Sequence, residues 1–233
     1  MRIISWNCNG AFRKKLDQIS ILKADVYIIQ ECEDPSRSSD NEYKKWTTNY
    51  LWSGGNKNRG IGIFAHNGIE IEALNIDSGI LESFLPFIIN KKIVAIAVWT
   101  KQANSPTFAY IGQFWKYLQN HKEFIKQNKP IIIGDFNSNK IWDKWDRWWN
   151  HSDVVKELEE INIYSLYHSK LNEEQGKESV HTLFLHRNKE KFYHIDYVFL
   201  NKVYIDRAEI EIGLPNEWLE FSDHMPLIMD IDV

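Results

Sequence analysis

Short apolar blocks separated by polar turns run along the whole chain. Positions 2–6 and 26–30 are apolar runs of strand length, and 11–23 between them carries apolar residues at the spacing of one helix face. Positions 46–52, 60–66 and 69–74 predict antiparallel strands, with Gly54-Gly55 and Asn67-Gly68 as turns. Strands at 87–89 and 93–99 follow, split by the polar Asn90-Lys91-Lys92. Phe114, Tyr117, His121 and Phe124 recur at helical spacing and predict a helix from about 108 to 127. Pro130 then opens a strand at 131–133, and 154–161 is helical. The patterns at 180–185, 195–200, 205–212 and 227–231 predict closing strands. Many strands with three or four helices imply an α/β fold of mixed sheets packed face to face, with helices outside.

Composition adds boundaries to this picture. The chain has 233 residues without a repeat, low-complexity tract or Pro/Gly/Ser-rich linker, so a single domain over 1–233 is expected. Hydrophobic residues make up 43%, enough for an ordinary core, and ten Trp, ten Tyr and twelve Phe supply rings that can fill it or stack on bases. The net charge of −4 means that a polyanionic partner must be met by a local basic patch or by bound cations. No apolar run is long enough to span a membrane, and MRIISWNCNG lacks the layout of a signal peptide. Two cysteines, Cys8 and Cys32, cannot make a disulfide framework. A reduced, cytoplasmic setting is expected, as is a monomer with no obligate protein partner.

Polar residues gather where predicted strands end or begin. Asn7 follows the first strand, Glu31 the second, and Asp135-Phe136-Asn137 the strand at 131–133. Asp196 opens a late strand, and Asp223-His224 precedes the last. Each alone is explained by capping or an Asx-turn. Five together at strand ends point to a site, because strand ends are where sites assemble in α/β proteins. The donor set is chemically coherent. Hard divalent cations take carboxylate and amide oxygens, which Glu31, Asn7 and Asp223 supply, and no Cys/His spacing suggests zinc. Asp135, Asn137 and a His–Asp pair suit a positioned nucleophile and neutralised phosphate oxygens.

The segments SWNCNG at 5–10, IIQE at 28–31, IIIGDFNSN at 131–139, HIDYVFL at 194–200 and SDHMPL at 222–227 carry a resemblance to the endonuclease/exonuclease/phosphatase superfamily, in that family's order. The resemblance implies a four-layer α/β/β/α sandwich. It implies Glu31 as direct metal ligand, with Asn7 and Asp223 helping to hold Mg2+ or its waters, and Mn2+ as a substitute. Asp135 would activate water, Asn137 would donate to the phosphate or the nucleophile, and His224, oriented by Asp196, would contact the scissile phosphate. Repair nucleases carry Asn-x-Asp-Gly where this chain has Asn7-Cys8-Asn9-Gly10, so one metal ion is expected rather than two. Where relatives have Tyr or His, this chain has Trp99, followed by Thr100 and Lys101; indole is no general acid, which leaves Lys101, a metal-bound water or His181 to assist.

Positions 141–149 hold four Trp with Lys144 and Arg147. As an amphipathic helix they would pack Trp142, Trp145 and Trp149 inward and leave Trp148, Lys144 and Arg147 for ligand contact. Asn9, Lys101 and His181 complete the candidate substrate contacts. The loop cations Arg13-Lys14-Lys15, Lys57/Arg59 and Arg187/Lys189/Lys191 would line a polyanion groove. Three functions compete: a metal-dependent nuclease on DNA or RNA, a phosphoesterase on a small or lipid phosphoester, and a non-catalytic nucleic-acid-binding module, the last motivated by Trp99.

Overall fold

The computed structural model describes residues 1–76, 81, 84–103 and 105–232. In chain order its strands are β1 (Arg2–Asn7), β2 (Val26–Cys32), β3 (Tyr50–Asn56), β4 (Arg59–Ala65), β5 (Ile71–Ala73), β6 (Phe84–Ile89) and β7 (Ile93–Trp99). These are followed by β8 (Ile131–Asp135), β9 (Ile163–Ser165), β10 (Leu183–Phe184), β11 (Phe192–Tyr193), β12 (Asp196–Asn201), β13 (Ala208–Ile212) and β14 (Leu227–Ile231). The helices are α1 (Leu16–Ser20), α2 (Asn41–Trp46), α3 (Ile111–Asn128), α4 (His151–Glu160), α5 (Leu166–Leu171), α6 (Lys202–Ile205) and α7 (Pro215–Trp218).

Two six-stranded sheets carry the fold, in the orders β13-β14-β1-β2-β4-β3 and β5-β6-β7-β8-β12-β9. Both are mixed: β1 pairs with β2 in parallel and β7 with β8 in parallel, while the other ladders are antiparallel. Alternation along the strands sorts the side chains between layers. Ala95, Ala97, Ile131 and Ile133 join a core shared with Ile3, Ile28 and Ile63 of the other sheet. Ile96, Val98 and Ile132 face the opposite way and pack under Phe114, Tyr117 and Leu118 of α3 and Leu158 of α4. Each such buried aliphatic or aromatic side chain contributes about 1.5–3 kcal/mol of apolar transfer.

The topology decides where a site can form. The carboxyl ends of β1, β2 and β8 lie at one edge because β1 and β2 run in parallel, with Asn7 paired to Gln30. β12 runs against β8, so its first residue, Asp196, pairs with Asp135. Gly134 precedes Asp135 with φ +149°, and a Cβ there would meet the Val98 carbonyl oxygen at 1.9 Å.

Several predicted elements differ. The helix expected over 11–23 is a 3-10 turn at Phe12–Lys14 and a short α1, broken where Lys15 adopts φ −124°. The Lys15 side chain turns back onto the carbonyls of Cys8 and Gly10, and this tether opposes a continuous helix. The strand expected from 46 starts at Tyr50, because Asp40 caps the polar helix α2 with a bond from Tyr43 N at 3.0 Å. Gly54 and Gly55 lie inside β3; the turn is at Lys57-Asn58. The strand expected at 180–185 is confined to β10, and 205–212 divides into α6 and β13. The Trp-rich segment is no helix beyond the 3-10 turn Lys140–Trp142. Of the three Trp expected inward, only Trp149 is buried; Trp142 is 43% and Trp145 98% exposed.

Gly134→Ala should lower stability by about 1–3 kcal/mol from overpacking alone, read as a fall in melting temperature. An unchanged melting temperature would mean that β7 and β8 do not approach as described.

Candidate active site

Asn7, Glu31, Asp135, Asn137, Asp196 and His224 meet at the shared edge of the two sheets. Asn7 Nδ2 donates to Asp135 Oδ2 at 2.9 Å and points to Glu31 Oε1 at 3.4 Å. Asn137, in left-handed backbone with φ 46°, folds its amide back so that Nδ2 donates to Asp135 Oδ2 and its own N–H to Asp135 Oδ1, at 2.9 and 2.8 Å. A bulge between Gln30 and Cys32 takes Glu31 out of the regular ladder, with φ 64°. Asn9 N–H donates to Asn7 Oδ1 and its Nδ2 to Asp223 Oδ1, both at 3.0 Å. Asn9 thus ties Asp223 to the end of β1.

The backbone before β14 is pinned from several sides. Ser222 Oγ donates to Asn7 O at 2.7 Å, Trp6 Nε1 donates to His224 O at 2.9 Å, and Met225 N donates to Thr182 O at 2.7 Å. His224 Nδ1 meets Asp196 Oδ2 at 3.0 Å and Oδ1 at 3.2 Å, with both residues buried. Burial pulls the imidazole down, but the carboxylates of Asp196 and Asp135 outweigh it and raise its pKa to about 10. Burial, then the Asp196 charge, lifts the Asp135 carboxyl to about 7 against His224 and the two amides. The site therefore sets a cationic imidazole beside a carboxyl able to exchange a proton near neutrality.

Residues 4–224 match the Endonuclease/Exonuclease/phosphatase family. The chain belongs to that family. Its fold is shared with a 3'-5' exonuclease, NExo, from Neisseria meningitidis, at TM-score 0.72, 16% identity and full coverage of both chains. It is shared equally with an AP endonuclease from Archaeoglobus fulgidus, at TM-score 0.73, 18% identity and full coverage of both. A Neisseria 3' phosphatase bound to product DNA hairpin aligns at TM-score 0.70 and 17% identity, again over both whole chains. No curated protein matches the sequence.

The family's members share phosphoester chemistry, and the residues here fit a hard divalent cation at one place. Glu31 and Asp223 offer carboxylate oxygens, while Asn7 turns Nδ2 toward Glu31 and keeps Oδ1 on the Asn9 N–H. Glu31 Oε2 is buried yet accepts no well-directed hydrogen bond, and Arg59 Nη2 lies 2.6 Å from it as an ion pair. Asp135, Asp196 and His224 also bring ligand-type atoms within 4.8 Å of one another. There the imidazole Nδ1 is engaged with Asp196, and all three residues are buried.

The remaining candidates divide. Trp99 pairs with Asp135 at the end of the parallel β7–β8 ladder, where the sequence places it, and its indole is in the inter-sheet core. Lys101 Nζ sits 4.8 Å from the centroid of that indole. His181 stacks on Phe192 at 4.1 Å, and burial lowers its pKa. Arg147 lines a cavity with Asn137, Trp148 is 64% exposed, and the backbone of Lys144 is held by the Asn150 amide. Several expected groove cations are committed elsewhere: Arg13 to Glu33, Lys15 to backbone carbonyls, Arg59 to Glu31. Cys8 and Cys32 are fully buried, and burial raises both thiols, which makes them inert.

Sequence reasoning missed a buried network that holds the loop after Asp135. Asn139 Nδ2 donates to Glu178 Oε1 at 3.1 Å and to His194 O at 2.9 Å, and Tyr197 Oη donates to Ser138 O at 3.1 Å. His168 Nε2 and Gly176 N–H share Glu178 Oε1, and these bonds hold the Glu178 carboxyl at about 2 against burial. Glu178 thus positions the 135–139 loop from a distant segment.

In metal-free protein the His224 ring should stay cationic at pH 8 by nitrogen NMR. Asp196→Asn should lower its pKa toward the ordinary value near 6.5. The raised pKa adds stability that is complete below about pH 6.5 and lost as pH rises through about 10. A neutral wild-type ring at pH 8 would contradict the pairing.

Proposed function

We propose that the chain is a divalent-metal-dependent nuclease that hydrolyses phosphodiester bonds of DNA or RNA, working as a single domain and a monomer. The observation that carries this proposal is the buried Asp135 carboxyl, held by Asn7 and Asn137 next to the His224–Asp196 pair. Glu31, Asn7 and Asp223 would hold one Mg2+, with Mn2+ able to replace it. When bound, the cation supplies charge neutralisation at the phosphate oxygens. Asp135 takes the proton of the attacking water. Asn137 donates to the nucleophile or to a phosphate oxygen, although its Nδ2 is shared with the Thr100 carbonyl at 2.9 Å. His224 meets the developing charge as a cation, and Asp196 keeps it charged and oriented.

Lys101, Lys144, Arg147, Trp148, Asn9 and His181 are proposed to contact the substrate around this centre. Trp99 has no titratable proton, and Lys101 above it is the nearest cation to the strand end in sequence, so leaving-group protonation falls to Lys101 or to a water. The absence of a long apolar helix among the described residues agrees with a protein that does not cross a membrane by a helix. A cytoplasmic site of action is part of the proposal.

A second version of the same chemistry is release of phosphate from a 3' end, favoured by the likeness to the Neisseria 3' phosphatase bound to product DNA hairpin.

A panel of single-stranded, duplex, nicked, abasic and 3'-phosphorylated substrates with Mg2+ or Mn2+ distinguishes these versions by product. Asp135→Asn and His224→Ala should each lower turnover about a hundredfold or more. Near-normal turnover in both variants, or no product from any substrate with wild type, would refute the proposal.

A further inference from the structure

Glu31 is held by a side chain that stands half in water. Asn7 Nδ2 points to Glu31 Oε1 at 3.4 Å, so the open oxygen of the carboxylate is Oε2, and there Arg59 Nη2 lies at 2.6 Å. The Glu31 side chain is 15% exposed and that of Arg59 55%. The bulge between Gln30 and Cys32 fixes Glu31 where it stands. Arg59 is fixed at its backbone. It pairs with Asn56 across the β3–β4 turn, which the Asn58 N–H closes by donating to Asn56 Oδ1 at 2.9 Å, and the next residue, Gly60, pairs with Cys32. A Cβ on Gly60 would meet the Ser53 carbonyl oxygen at 2.5 Å, so the strands are closely packed here and any movement at Arg59 belongs to its side chain.

Two cations cannot hold one oxygen at contact distance without like charges meeting. A metal ion on Glu31 Oε2 and the Arg59 guanidinium therefore exclude each other. Little opposes the exchange on the arginine's side, because a pair with one exposed partner adds little net stability. The released guanidinium keeps its charge and its donors beside the strand ends that carry Asn7 and Glu31, and its planar fork suits phosphate oxygens. Other loop cations lack this freedom. Arg13 is paired with the buried Glu33, and Lys15 holds the carbonyls of Cys8 and Gly10, so neither partner is a proposed metal ligand.

We propose that Arg59 is a metal-gated phosphate-binding residue: in metal-free protein its guanidinium neutralises Glu31, and when Glu31 holds the metal the guanidinium turns to a phosphate of the bound nucleic acid. Arg59 then weakens metal binding in the free protein and makes metal and nucleic acid bind cooperatively. The coupling is reciprocal, so nucleic acid that captures Arg59 also strengthens metal binding. This inference rests on the nuclease proposal for its metal and its polyanion, and is tested separately from it.

Magnesium is titrated calorimetrically into wild type, Glu31→Gln, Arg59→Gln and Arg59→Met, with melting curves confirming the fold of each. Both Arg59 variants should bind Mg2+ about tenfold more tightly than wild type, within the usual range for coupled sites. A merely structural support for Glu31 predicts the opposite sign. Binding of a labelled DNA hairpin with a single-stranded 3' tail is then measured in the Asp135→Asn background, with Mg2+ and with EDTA. Adding Arg59→Gln or Arg59→Met should weaken hairpin binding about tenfold in Mg2+ and leave it within about threefold in EDTA, where Arg59 is already engaged by Glu31. Unchanged or weaker Mg2+ binding by both Arg59 variants, or an equal loss of hairpin affinity with and without metal, would overturn the inference. If wild type binds Mg2+ and Glu31→Gln does not, the proposed metal centre stands even where the Arg59 result fails. If neither wild type nor the Arg59 variants bind Mg2+, the metal centre falls and this inference with it.

Discussion

The hydrogen bond from Asn7 to Asp135 joins the ends of two sheets around one buried carboxyl. Burying such a group is costly unless it is well partnered. Asp135 is partnered from β1 through Asn7, from its own loop through both Asn137 donors, and by the charge of His224 at the start of β14. Each partner is backed by the fold. Asn7 ends a parallel strand, Asn137 sits in left-handed backbone, and His224 is fixed by Asp196, which lies across the β12–β8 ladder from Asp135. The same carboxyl that costs stability is the one best placed to exchange a proton near neutrality.

This geometry explains why much of the site is legible in the sequence. Asn7, Glu31, Asp135, Asp196 and His224 adjoin apolar runs whose period and length identify strands, and a residue at a strand end has few places to be. The bounds of β14 agree with expectation, and those of β2, β8 and β12 differ by a residue or two. Glu178, His168 and His194 were not legible as a unit. They come from loops and a short helix, and only tertiary closure brings them to Asn139. The Trp-rich segment deceived for a related reason. Its spacing suits a helix, but Asn150 gathers the Lys144 and Arg147 backbone groups into a tight loop instead. The 11–23 helix failed through Lys15, whose ammonium is worth more to two carbonyls than to a helical turn.

Cations are the second theme. Glu31 is a carboxylate in search of positive charge, and in this structure Arg59 of β4 supplies it. An arginine on a half-exposed stem is a partner that can swing away, whereas the buried His224–Asp196 pair cannot. The proposed function thus assigns the fixed cation, His224, to phosphate and places an exchangeable one, Arg59, at the proposed metal ligand. In the proposed site Asn9 stands where a third carboxylate would join Glu31 and Asp223, and its amide donates to Asp223, which is why a single divalent ion is proposed.

Calorimetric titration of magnesium into the purified protein tests this most directly. The account predicts one equivalent of Mg2+ bound by wild type, and loss of that binding in Glu31→Gln with the circular dichroism melt preserved. Undiminished binding by Glu31→Gln, or two equivalents of comparable affinity in wild type, would contradict it.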